Sequence, residues 1–96
     1  MVMFDRNRLA EICRRHDVRQ LRIFGSASRG ELRADSDVDL LVEFASPKGF
    51  FELLRLEDEL KALFGRPVDV LTEPGLSPQL RQPILASASV IFDAAA

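Results

Sequence analysis

Ile23-Phe24-Gly25-Ser26-Ala27-Ser28-Arg29-Gly30, then five residues, then Ser36-Asp37-Val38-Asp39-Leu40-Leu41-Val42-Glu43: this stretch decides the fold and the chemistry of the 96-residue chain. Its first half reads as a strand that ends at Gly25-Ser26. Glycine lets the backbone approach a ligand with no Cβ in the way. Ser26 can cap a short helix whose free N–H groups face an anion. Arg29, three residues on, returns to the side of that helix start where a phosphate would sit, and its planar fork matches phosphate oxygens.

The second half leaves a polar turn, Arg33-Ala34-Asp35-Ser36, and enters an apolar run that reads as a buried strand. Residues two apart on a strand share a face, so Asp37 and Asp39 point one way while Val38 and Leu40 point the other. Two carboxylates roughly 7 Å apart repel by about 2 kcal/mol at an effective dielectric near 20. A divalent cation removes that cost, because Mg²⁺ prefers one or two carboxylates together with substrate phosphates. Either half alone is ordinary turn chemistry; together, on two predicted strands, they form a phosphate cradle facing a metal-binding pair.

Working outward, Asp5 is the predicted N-cap of a first helix running to about His16, with Leu9, Ile12 and Cys13 on one stripe. His16, the single histidine, is expected to meet the last carbonyls of that helix. Val18 to Phe24 forms the first strand. After the second, Ala45-Ser46-Pro47-Lys48-Gly49 is a loop. Leu53, Leu56, Leu60 and Leu63 then recur at helical spacing from Phe50 to Phe64, with Gly65 as the stop. Phe50, Phe51 and Leu54 give this helix more apolar surface than one stripe requires, serving either a wide core face or, through Phe51 and Leu54, a partner.

Val68-Asp69-Val70-Leu71 reads as a third strand in which one carboxylate stands among buried-type neighbours. An unpaired carboxylate there is costly, so Asp69 is expected to join Asp37 and Asp39 around the same cations. Ser77-Pro78 opens a last short helix that Pro83 should limit or kink, Ala88 to Phe92 adds a final strand, and the C-terminal residues should fray. The pattern predicts one domain over residues 1–96 of α/β (α+β) class: a small sheet of three to four strands with helices packed mainly on one face.

Composition narrows the function. Hydrophobic residues make up 47% of the chain, as a globular fold requires. The net charge of −2 argues against direct sequence-independent nucleic-acid binding. All but Lys48 and Lys61 of the thirteen cations are Arg, and they are scattered over the chain. One cysteine, Cys13, precludes an internal disulfide. No signal segment or apolar run of membrane-spanning length appears, so the expected location is cytoplasmic, without membrane association.

The order Gly25-Ser26-x-x-Arg29-Gly30, then Ser36-Asp37-x-Asp39-Leu40-Leu41-Val42, resembles the signature of the polymerase beta nucleotidyltransferase superfamily, and specifically of its minimal nucleotidyltransferases (MNT). The likeness covers nearly the whole chain and is intact at the positions that carry chemistry. It implies the nucleotidyltransferase fold with a small mixed sheet, with Asp37, Asp39 and Asp69 as catalytic residues holding two Mg²⁺ ions (Mn²⁺ being the alternative) and Gly25, Ser26 and Arg29 binding ATP. It further implies an antitoxin that transfers AMP from ATP to a tyrosine of a partner HEPN toxin, within a hetero-oligomer. The chain has no tyrosine of its own, which fits a target in trans. The alternative is a non-catalytic interaction protein that neutralises its partner by binding.

Overall fold

The computed structural model describes residues 4–25 and 37–95. In chain order these form α1 (Arg6–Arg15), β1 (Val18–Phe24), β2 (Val38–Phe44), α2 (Phe50–Phe64), β3 (Val68–Thr72), a 3-10 turn at Glu73–Gly75, α3 (Pro78–Ser87) and β4 (Ser89–Asp93). The four strands make one mixed sheet in the order β3-β2-β1-β4: β1 runs antiparallel to both β2 and β4, and β2 runs parallel to β3. A parallel neighbour cannot follow a tight turn, and α2 supplies the crossover between β2 and β3. This is the mixed sheet that the family resemblance implies.

Local chemistry sets the helix ends. Asp5 caps α1, its side chain accepting from the N–H groups of Asn7 at 2.9 Å and Arg8 at 3.2 Å. Gly65 ends α2 at φ 69°, a left-handed conformation that costs glycine little, and its N–H donates to the Lys61 carbonyl at 2.9 Å. Pro83 does not stop α3, which continues to Ser87. With every α3 residue at least partly exposed, the carbonyl that Pro83 leaves without a helical donor can turn to water.

The core lies between the sheet and the α1/α2 layer. Leu9, Ile12 and Cys13 of α1 and Leu56, Leu60 and Phe64 of α2 close over Leu21 and Ile23 of β1, Val38, Leu40 and Val42 of β2, and Val68 and Val70 of β3. Burial pushes the Cys13 thiol up to about 12, so it packs as a hydrophobe. Where the two helices meet, the His16 ring contacts Glu59, and Arg15 donates to the same carboxylate at 2.6 Å. The ring departs from the expectation that His16 meets the last carbonyls of α1: it turns to Glu59 on α2, whose carboxylate is within its reach, while only the His16 backbone N–H donates to the Ile12 carbonyl. These contacts hold the Glu59 carboxyl below its usual range, the His16 hydrogen bond first and Arg15 next.

Phe50 and Phe51 stand 68% and 75% exposed, with Leu54 beside them at 37%. The apolar surplus of α2 is therefore not a wider core face. Leu56→Ala should cost about 2–5 kcal/mol by leaving a cavity, whereas Phe51→Ser should leave the melting temperature of the isolated protein nearly unchanged. Thermal melts of the two variants beside wild type check both expectations.

Candidate active site

Three strands bring the candidate site residues to one end of the sheet. Because β1 and β2 are antiparallel, the end of β1 lies beside the start of β2, and Phe24 pairs with Asp39. Because β2 and β3 are parallel, Val38 pairs with Val68 and Asp39 with Asp69. The Val38 N–H donates to the Pro67 carbonyl at 3.0 Å, which extends this pairing at the point where both strands begin. Val38 and Leu40 are completely buried in the core. Alternation then puts Asp39 on the opposite face, with its register partner Asp69 beside it.

Asp37 precedes β2 and is exposed, Asp39 is half-buried, and Asp69 is exposed. Burial pushes the Asp39 carboxyl above the usual carboxylate range, and the charges of Asp69 and then Asp37 push it further. Neighbouring strands lie roughly 5 Å apart, where two ionised carboxylates repel by on the order of 1–3 kcal/mol between water-like and protein-like screening. Because folding raises this pKa, ionisation of Asp39 opposes folding: the metal-free protein gains stability as pH falls through the Asp39 pKa.

Gly25 closes the site from β1. Its φ is +70°, and a Cβ built there would stand 2.7 Å from Asp39 Oδ2. The glycine is thus required twice, by its backbone conformation and by the carboxylate occupying the space a side chain would take. Ser26 and Arg29, the other residues expected to hold phosphate, lie outside the described residues.

Among the described residues, no three His, Cys, Asp or Glu side chains are gathered closely enough to hold a metal ion as they stand. The donor chemistry nevertheless fits a hard divalent cation. It consists of carboxylates alone, with two on adjacent strands in register and a third one residue before the strand, and Asp39 is held in a state that a cation would relieve.

Strand pairing also exposes what the local sequence conceals. Arg22 pairs with Leu41 and therefore shares the face of Asp39. Only the alternation back from Phe24, once its register with Asp39 is known, could reveal this. A separate cleft of about 660 Å³ lies at the far ends of β2 and β3, lined by residues such as Phe44, Pro47, Thr72 and Pro74. Gly25 converges with the carboxylates at the opposite end of the strands, which makes that end the candidate site. No helix among the described residues is long and apolar enough to cross a membrane.

Comparison with known proteins agrees with this geometry. Residues 6–91 match the nucleotidyltransferase domain family. The protein adenylyltransferase MntA of Thermococcus cleftensis is 37% identical over 75 residues, spanning 78% of this chain and 76% of that one. A structure described as that of a minimal nucleotidyltransferase superposes with a TM-score of 0.77 at 42% identity, covering 88% of this chain and 86% of the other. A toxin–antitoxin structure with AMP-PNP shares the fold, with a TM-score of 0.77 at 21% identity over 94% of this chain and 74% of the other.

Gly25→Ala should destabilise the fold by about 1–2 kcal/mol through its left-handed backbone, and should turn the Asp39 carboxylate aside. The expected outcome is a modest fall in melting temperature with a disproportionate loss of nucleotide binding, measured by calorimetry with Mg²⁺ present. Wild-type binding in the variant would contradict the close approach. The geometry of the sheet edge and the match along residues 6–91 lead to one conclusion: the chain belongs to the nucleotidyltransferase domain family, as a minimal nucleotidyltransferase.

Proposed function

We propose that this chain, as a single domain over residues 1–96, transfers AMP from ATP to a hydroxyl of a partner HEPN toxin, a tyrosine by preference, and so acts as its antitoxin. The observation that carries the reading is the register of Asp39 with Asp69 beside Gly25, a constellation suited to phosphoryl chemistry. The 37%-identical relative named as a protein adenylyltransferase supports a protein acceptor. The fold shared with toxin–antitoxin structures, one of them described as holding a tri-AMPylated HEPN toxin, supports the class of partner.

The chemistry is an in-line displacement. The acceptor oxygen forms a bond to the α-phosphorus, the bond from that phosphorus to the α,β-bridging oxygen breaks, and pyrophosphate leaves. Asp37, Asp39 and Asp69 would hold divalent cations, Mg²⁺ in the first instance, which supply electrophilic stabilisation of the phosphoryl oxygens. Gly25 and Ser26 hold the β- and γ-phosphates, with Arg29 offsetting charge on the leaving group. Asp69 helps remove the proton of the acceptor hydroxyl. The sequence contains no tyrosine, which fits an acceptor in trans within a cytoplasmic hetero-oligomer. Exposed Phe50, Phe51 and Leu54 offer apolar surface for such a contact.

The competing reading is a binder with an idle site. It leaves unexplained why the chain keeps a half-buried carboxylate under the repulsion of two others. Incubating the protein with ATP, Mg²⁺ and a HEPN partner should raise the intact mass of the partner by one AMP residue per transfer, and Asp39→Asn should abolish the increase. A partner that is neutralised yet unmodified would contradict the proposal.

A further inference from the structure

Arg22 of β1 shares the face of Asp39 and Asp69. Its register partner Leu41 is buried, and Leu41 in turn pairs with Leu71 of β3. Arg22 is half-buried, lining a small crevice with Gln20, Leu41, Glu43 and Glu73. Both nearby glutamates are engaged elsewhere: Glu73 accepts from Arg81 at 2.5 Å, and Glu43 stands 3.8 Å from Arg19. Among the described residues, no ion pair or side-chain hydrogen bond involves Arg22.

A partly desolvated guanidinium without an anion carries a cost that a bound anion would remove. We infer that Arg22 grips the α-phosphate of the nucleoside triphosphate, a role that rests on the transferase reading and adds a residue to it. Arg22 and Asp39 are diagonal neighbours across β1 and β2, roughly 7–8 Å apart, a gap that a long side chain spans. Gly25, at the leaving-group end, is three residues further along the chain, roughly 10 Å away at strand spacing. Arg22 therefore addresses the reacting phosphate and not the departing ones. The acceptor hydroxyl is neutral before reaction, so the α-phosphate is the permanent anion within reach. The guanidinium fork fits two of its oxygens, and the aliphatic stem covers Leu41.

The test uses the whole chain with Mg²⁺ and a non-reactive ATP analogue carrying a methylene in place of the α,β-bridging oxygen, alongside Mg²⁺ with pyrophosphate. Arg22→Gln should weaken the analogue about tenfold or more. Arg22→Lys, keeping the charge and losing the fork, should weaken it less. The affinity for pyrophosphate should stay within about twofold in both variants, with melting temperatures near that of wild type. An unchanged analogue affinity in Arg22→Gln, with or without a weaker response to the acceptor, would overturn the assignment. So would a collapse of the melting temperature in both variants, which would make Arg22 structural. If wild-type protein binds neither ligand, the transferase reading itself fails, and the inference with it.

Discussion

The parallel pairing of β2 with β3 sets two carboxylates side by side, and the rest of the site depends on that register. A shift of one residue in either strand would send Asp39 or Asp69 into the core and turn a buried valine or leucine out. The register is held by Val38 and Leu40 of β2 and Val68 and Val70 of β3, all buried under the α1/α2 layer. The hydrophobic core is therefore also what aims the two carboxylates, since one face of each strand cannot be buried without presenting the other. The antiparallel turn back from β1 completes the edge by delivering Gly25 to Asp39 with no room for a side chain between them.

The protein tolerates electrostatic tension at this edge. Asp39 is partly desolvated and faces two like charges, with no described cation among the causes that set its pKa. Elsewhere the same chain pairs its charges closely: Glu59 with His16 and Arg15, Glu73 with Arg81, Asp17 with Lys48. Those charges meet opposite partners within the fold, whereas Asp39 at the strand ends meets like charges. Arg22, on the same face and also without an ion pair among the described residues, fits that division.

Much of the fold was legible because its determinants are local. Asp5 caps α1, Leu9, Ile12 and Cys13 form its buried stripe, Gly65 stops α2, and Val68 to Leu71 opens a strand, each signalled within a few residues. Asp37, Asp39, Asp69 and Gly25 could be singled out because chemistry-bearing residues interrupt otherwise apolar strands. Strand order and register were not legible, since they depend on contacts between segments far apart in the chain. For that reason the place of Arg22 beside the carboxylates was missed. The exposure of Phe51 was also undecided, because helical periodicity marks an apolar surplus without saying what covers it. Pro83 shows a local rule relaxed by context, as α3 is exposed enough for water to take over a lost hydrogen bond.

If strand register forces Asp39 into a like-charge environment that a divalent cation relieves, its titration must report both effects. Following the Asp39 carboxyl carbon by NMR measures this directly. The expected midpoint lies above the ordinary aspartate value in metal-free protein. It should fall on Asp69→Asn, and fall further below that value in wild type when Mg²⁺ is added. A midpoint at the ordinary value, indifferent both to Asp69→Asn and to Mg²⁺, would mean that neither the register nor a cation acts on Asp39.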